Sequence, residues 1–388
     1  MAESSALVDP REERLLHIRR EAELRGRVDD GGVRPEGSPF PLASPQTGYY
    51  EQPLLKEPQW TQLIPFYFFV GGAAGSLGVI GSLADLIAGE EALARQARWL
   101  AFGGSVLSGV LLVTDLGRPS RFLNMLRVFK PQSTMSMGSW ILSGFSVFAS
   151  ASSFADALDY LWGTNLLVRL IRGIGRIGSI LFGMPFHNYT GVLLATTALP
   201  VWNERAGSLP GHFGMSGLQS GASILELMGH DDNRALNLLG MFSASMETWE
   251  KIDISSRSSQ ALLPLKQGSS GALVRVGAWL SGPVPLMLRG ASLVADRPEK
   301  LRRLAACAGI AGSLFTRYGW VQAGKSSARD WRLPLAIDAP KDTRKPKRWL
   351  FPGSELTQPS SFTEKAKSAG AMLLLVGVCA FLIFKSND

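Results

Sequence analysis

The sequence is short of cysteine, histidine and charge. Cysteine occurs twice in 388 residues, at Cys307 and Cys379, both inside apolar runs, and there is no CxxC pair. A self-contained iron–sulfur cluster, a zinc ribbon and a disulfide framework each need several closely spaced thiols and are excluded. Histidine occurs four times, at His17, His187, His212 and His230, and only His187 and His212 fall in apolar runs. A di-haem membrane cytochrome needs four axial ligands and fails on that count, whereas a single haem between His187 and His212 stays open. Charged residues make up 19% of the chain, against roughly 25% in ordinary soluble domains. With 46% hydrophobic residues gathered into long runs after residue 60, the chain reads as one polytopic membrane domain rather than a soluble enzyme.

Lys and Arg exceed Asp and Glu by 40 to 32, a net charge of +8. The excess sits mostly in terminal segments and between the runs, as membrane orientation signals do, and nucleic acid is not an expected partner. Residues 1–60 begin polar, rich in Arg and Glu, with no apolar core of a signal peptide. Within them, Pro10 to Arg27 has helical character, with Leu15, Leu16, Ile18 and Leu24 among charges. The Gly- and Pro-rich stretch from Gly31 to Pro45 reads as an extended linker, ordered against a partner.

A bilayer core of about 30 Å needs about 20 apolar residues per helix. Five runs qualify: Thr61 to Ala84, Trp99 to Thr114, Pro131 to Ala155, Ile177 to Asn203 and Ala206 to Leu225. Three more reach that length only by enclosing ionisable residues: Ala235 onward with Glu247 and Glu250, Gly271 to Leu288 with Arg275, and Leu304 to Ala323 with Arg317. A ninth run, Ser368 to Phe384, follows a polar loop at 324–367 and is expected to span. The expected domains are thus a polar extension at 1–60, a helix bundle at 61–323, the loop at 324–367 and a hydrophobic helix at 368–384. Gly71/Gly75, Gly104/Ser108 and Ser105/Gly109 form small-xxx-small pairs that predict close helix packing. No internal repeat is visible.

Let side A be the side of the N-terminus. Alternating helices then deliver Asp115, Arg118, Arg121, His212, Glu247, Glu250, Arg275 and Arg317 to the side-A half, and fewer ionisable groups (Asp85, Arg98 and Glu226) to side B. Ionisable residues inside a membrane face the bundle interior or a wet cavity. A polar pocket opening to side A and structural ion pairing are both consistent with that set. His187-Asn188-Tyr189-Thr190 lies mid-helix after Pro185, where four polar side chains in a row need partners. Donors in an apolar pocket suit a ring-carbonyl ligand such as a quinone, and interhelical bonding would use them equally well.

The same residues carry a likeness. Asp115-Leu116-Gly117-Arg118-Pro119, then Arg121-Phe122-Leu123-Asn124-Met125-Leu126-Arg127, Pro131, Ser133, Met135-Ser136 and Gly138-Ser139-Trp140, resemble the NrfD/PsrC family, the integral membrane subunit of polysulfide-reductase-like complexes. Gly48-Tyr49-Tyr50, Trp60, Ile64 to Phe69 with Tyr67, Gly71 to Gly75, Tyr189 to Leu194, Pro200-Val201-Trp202 and Arg317-Tyr318 extend the resemblance over about residues 48–330. It implies an all-α integral membrane protein, an eight-helix bundle of two four-helix halves. To this the chain adds a ninth C-terminal membrane helix and the polar N-terminal extension.

The resemblance further implies a quinone, menaquinone or ubiquinone, near the face that docks an iron–sulfur subunit, itself linked to a molybdopterin-type catalytic subunit. No haem, iron–sulfur cluster or metal is expected in this chain. Tyr67, Asp115, Arg118, His187 and Tyr189 are the expected quinone-binding residues, and Asp115, Glu247 and Arg317 the expected proton relay. The competing readings are an anchor without quinone chemistry and an ion or proton transporter. The expected location is the inner (cytoplasmic) membrane, with side A cytoplasmic.

Overall fold

The computed structural model describes residues 53–334 apart from 117 and 296, together with positions 17 and 20. His17 and Arg20 are helical and exposed. The remainder of the N-terminal extension and the ninth run lie outside the described residues. The chain divides between Gln52 and Pro53 into two units, and the second holds the helix bundle.

Every regular element described is helical. Helix α1 spans Leu63–Leu83 and runs into a π-helical turn, Ala84–Ala88, closed by Gly89 at φ 65°. Only glycine adopts that left-handed backbone without steric cost. Helix α2 spans Glu91–Asp115, α3 Thr134–Trp162 and α4 Leu166–Ala195. Helix α5 spans Leu209–Leu225 and also ends in a π-helical turn, Glu226–His230. Helix α6 is Arg234–Ser256, α7 Gly268–Ser281, α8 Pro283–Ala291 and α9 Pro298–Arg329. Ser133, Asn165 and Asn233 cap α3, α4 and α6, each side chain accepting a bond from a first-turn N–H. Such caps satisfy donors that a helix start otherwise leaves unpaired.

Helices α1, α2, α3 and α4 pack as a ring, α1 on α2 and α4, and α3 on α2 and α4. Helices α5, α6, α7/α8 and α9 form a second group, joined to the first through α1 on α5, α4 on α5 and α1 on α9. Each group opens with a helix that ends in a π-helical turn bearing an acid, Asp85 or Glu226.

Among the described residues, four helices are long and apolar enough to cross a membrane: Leu63–Ala88, Glu91–Asp115, Thr134–Trp162 and Gly268–Ala291. Their outer faces are apolar and exposed, as at Val147 and Phe154 on α3, and α4 shows the same at Leu170, Ile174 and Leu181. Tyr160 and Trp162 are exposed at the side-B end of α3, the depth at which amphipathic rings meet lipid headgroups. Several expected boundaries move. The run from Ile177 belongs to a helix beginning at Leu166, which stops at Ala195 before a short turn at Pro200–Glu204. The seventh run breaks at Gly282–Pro283, because proline supplies no N–H and cannot continue the ladder. Helix α9 continues past residue 323 to Arg329.

The glycine pairs are used unequally. A Cβ on Gly75 would lie 2.8 Å from the His187 backbone nitrogen, so α1 and α4 touch backbone to backbone there. Gly109 faces open space instead, and is no packing seam.

Candidate functional site

Tyr67, Asp115, Arg118 and Tyr189 lie toward the side-A end of the first group. Asp115 closes α2, and its carboxylate accepts from the Thr61 N–H at 3.1 Å and from the Thr61 hydroxyl. The acid thereby pins the end of α2 to the start of α1. Arg118 is exposed in the following loop, as are Arg121, Arg127 and Lys130. Tyr189 donates its phenol proton to the Thr134 carbonyl at 2.6 Å. Its ring occupies the notch at Gly138, where a Cβ would come within 2.0 Å of it. Tyr67 is buried on α1, in an apolar cluster with Ile64, Leu111 and Leu194, and lies within electrostatic range of Tyr189.

His187 does not join this group. Residues two apart on a helix point about 200° apart, so Tyr189 faces α3 while His187 faces α1 and α5, against Gly75 and Gly214. The His187 Nδ1 lies 3.1 Å from the Gly183 carbonyl. A carbonyl only accepts, so Nδ1 carries the proton and Nε2 is left as an acceptor. Asn188 donates to the Met184 carbonyl at 3.2 Å and packs against Gly214.

The relay residues converge in the second group. Arg317 is fully buried on α9. Its Nε donates to the Phe68 carbonyl at 2.9 Å, its Nη2 to the Phe213 carbonyl at 3.0 Å, and its guanidinium lies 4.6 Å from the Phe213 ring centre. One side chain therefore joins α1, α5 and α9, within electrostatic range of Glu247 and His187. The Arg317 Nη1 makes no hydrogen bond among the described residues.

Glu247 accepts from the Ser281 hydroxyl at 3.1 Å through Oε2, and its Oε1 lies 3.3 Å from His212 Nδ1. Trp320 donates its indole N–H to His212 Nε2 at 3.2 Å. The indole nitrogen can only donate, so it fixes the proton of neutral His212 on Nδ1, facing Glu247. The Nδ1 to Oε1 approach misses hydrogen-bond geometry, leaving both atoms buried without a partner among the described residues. Both residues line a cavity of about 560 Å³ between the start of α5 and α6, whose outer wall holds Arg205, Glu250 and Asp253. Arg205 binds Glu250 at 2.7 Å and also pairs with Asp253.

Side B is more heavily charged than the alternation predicts. Arg98 is buried between Asp156, bound at 2.6 and 2.9 Å, and Asp85, bound at 2.6 Å, with Arg172 and Arg176 also touching these acids. In the second group Arg289, which the runs do not single out, holds Glu226 through two bonds of 2.5 and 2.7 Å with both side chains fully buried. Arg275, expected inside a span, is exposed midway along α7 and bonds the Lys266 carbonyl. In these cases a charge enters the interior where an opposite charge waits on a neighbouring element.

Residues 54–230 match the family model described as polysulphide reductase, NrfD. Over these residues, somewhat less than half of the chain, it is similar to the NrfD family. No curated protein matches it. The NrfD match runs from before α1 to the π-helical turn after α5, and so contains Tyr67, Asp115, Arg118, His187 and Tyr189, while Glu247 and Arg317 lie beyond it. The NrfD match together with the apolar helices supports a multi-pass membrane protein. Among the described residues no three of His, Cys, Asp and Glu are grouped to hold a metal. Trp320 is the site residue that sequence reading passes over; the alternation places His212 in the side-A set without revealing its pairing with Trp320 and Glu247.

Proposed function

We propose that this NrfD-like protein is the quinone-reactive membrane subunit of a multi-subunit oxidoreductase. In this reading it exchanges electrons with an iron–sulfur subunit docked on side A, which in turn serves a molybdenum-type catalytic subunit. The observation that carries the reading is the family match over 54–230, the stretch that holds all five expected quinone residues. The residues fit such a ligand. A quinone ring needs apolar walls and donors for its oxygens, and the buried Tyr67 phenol stands among Ile64, Leu111 and Leu194. A bound quinone supplies two-electron, two-proton chemistry at its ring oxygens.

The chain's own residues divide the remaining work. Tyr67 donates from within the apolar cluster, and Tyr189, fixed to α3 through Thr134, shapes the wall beside it. Asp115 and Arg118 stand at the side-A mouth, where the carboxylate braces α1 and the exposed guanidinium attracts anionic or carbonyl groups. His187 faces the centre of the bundle and links this site by electrostatics to Arg317 and so to Glu247, the relay. The membrane is the inner membrane, with side A cytoplasmic.

The test uses the native complex purified in mild detergent, with its subunits identified by mass spectrometry. Tyr67→Phe and Asp115→Asn each keep packing volume. We expect each to lower quinone-linked turnover at least tenfold while the iron–sulfur subunit still co-purifies. Assembly with unchanged turnover in both variants would mean a plain anchor. A chain that purifies alone would remove the redox reading.

A further inference from the structure

The side-A loop that joins α2 to α3 carries charge of one sign. No acidic residue lies between Asp115 and Asp156, whereas Arg118, Arg121, Arg127 and Lys130 follow one another within the loop. All four are exposed. Among the described residues their side chains enter no ion pair. The carboxylate at the end of α2, Asp115, is already engaged by Thr61. The basic loop at side B is built differently. There Arg303 binds the Asp231 carboxylate at 3.0 and 3.1 Å, and Arg302 bonds the carbonyls of Asp231 and Asp232.

Between its charges the side-A loop is apolar. Leu123, Val128 and Phe129 are each more than half exposed. The stretch is nevertheless fixed in place. The Ser136 hydroxyl donates to the Val128 carbonyl at 3.2 Å and accepts from the Lys130 N–H at 3.1 Å, which ties residues 128–130 to the first turn of α3.

Helix α3 shows which surface the loop joins. Trp140, Val147, Phe154 and Leu161 recur every seven residues and are all exposed. Positions seven apart drift only about 20° around a helix, so the four form one apolar stripe. On a helix long and apolar enough to cross the membrane, such a stripe faces lipid. Phe129 rests edge-on against Trp140, the side-A end of this stripe, with ring centres 5.9 Å apart. The basic loop therefore sits at the rim of the bundle, where the lipid-facing surface meets the headgroups.

We propose that the α2–α3 loop is a binding site for anionic phospholipid. Arg121, Arg127 and Lys130 supply the charge that holds the headgroup phosphates, and Leu123, Val128, Phe129 and Trp140 supply the apolar surface for the upper acyl chains. Interleaved basic and apolar side chains at a bilayer surface draw on both terms together. The unbalanced positive charge favours anionic over zwitterionic headgroups, and the apolar surface favours a lipid over free phosphate. The site depends on the protein lying in a membrane and is independent of the quinone reading.

The test uses the full-length protein with its co-purifying subunits, stripped of lipid in mild detergent. Phosphatidylglycerol or phosphatidylcholine is titrated in, and bound lipid is counted by native mass spectrometry. Wild type is compared with Arg121→Gln/Arg127→Gln/Lys130→Gln and with the charge-keeping Arg121→Lys/Arg127→Lys/Lys130→Arg. Arg118 stays in place because it stands at the proposed quinone mouth. We expect wild type to favour phosphatidylglycerol by about tenfold, since each basic residue near a lipid surface contributes on the order of 1 kcal/mol. The glutamine variant should lose that preference and the charge-keeping variant retain it. In wild type the preference should also fall severalfold in 1 M salt, where the screening length is about 3 Å. No preference in wild type, or an undiminished one in the glutamine variant, overturns the site. An unchanged lipid preference with loss of a co-purifying subunit also overturns it and makes the loop a protein-docking surface. If the glutamine variant does not fold, the salt series decides: a preference that 1 M salt leaves intact overturns the proposal.

Discussion

The two helix groups bury charge in different ways. In the first, Arg98, Arg172 and Arg176 interlock with Asp85, Asp156 and Asp159 at the side-B end, so each of these acids is touched by at least one arginine and two of them by two. In the second, among the described residues, Glu226 has Arg289 as its one arginine, Glu247 has a histidine at 3.3 Å, and Arg317 has two backbone carbonyls. A redundant cluster ties helices together and tolerates loss of a member. A set of single contacts has no such reserve and is fragile. The first group therefore reads as a tied scaffold at its side-B end, and the second as a set of single contacts between neighbouring helices.

That contrast can be broken most directly at the single buried pair. Arg289→Leu leaves Glu226 uncompensated in the interior and should cost about 3–5 kcal/mol, read as a collapsed melting temperature of the detergent-solubilised protein. The double variant Arg289→Leu/Glu226→Leu should recover most of that loss, and no recovery would mean that the pair does more than neutralise itself. Arg98→Leu in the first group should cost less, on the order of 2 kcal/mol, because Arg176 still reaches Asp85 and Arg172 still reaches Asp156. A loss in Arg98→Leu as large as in Arg289→Leu would refute the redundancy. Gly138→Ala drives a methyl into the Tyr189 ring and should cost about 1–3 kcal/mol by overpacking, with quinone-linked turnover falling more steeply than thermal stability.

The smallest effect lies in the side-B loop. The Arg303 guanidinium bonds Asp231 at 3.0 and 3.1 Å and holds its carboxyl below the ordinary aspartate range. A lowered folded-state pKa contributes stability above the unfolded value that is lost as pH falls through the folded one. Acidification should thus lower the melting temperature slightly in wild type, by an amount that Arg303→Ala reduces. Equal acid sensitivity in both would mean that this clasp contributes nothing to stability.

The helices were legible because lipid imposes a simple rule: long uncharged runs must be helical to satisfy their own backbone. The stretch from Thr61 to Ala84 maps onto α1 and its π-helical turn, and the Asp115 to Trp140 motif points to the family that the match over 54–230 bears out. The runs at Ile177 and Gly271 were read less well. Start and stop signals overrode hydropathy there: the Asn165 cap begins α4 among arginines, and Pro283 interrupts α7. The candidate site was only partly legible. Asp115, Tyr189, Glu247 and Arg317 announce themselves as polar groups in apolar runs, but which of them meet is not a property of any one run. His187 and Tyr189 are neighbours in sequence and face different helices, whereas Trp320 and His212 are 108 residues apart and share a hydrogen bond.

By itself, then, the sequence determined the membrane, the helical class, the alternation that gathers Asp115, Glu247 and Arg317 toward one side, and the family likeness. Each of these depends on composition or on local periodicity, which a chain carries without folding. Only the tertiary structure decided which charges are paired and which atoms stay unpaired, that Arg289 is buried while Arg275 is exposed, and that His212 on α5 meets Trp320 on α9. Those properties depend on which helices become neighbours. That choice is made by close packing at residues such as Gly75 and Gly309, and no hydropathy pattern encodes it.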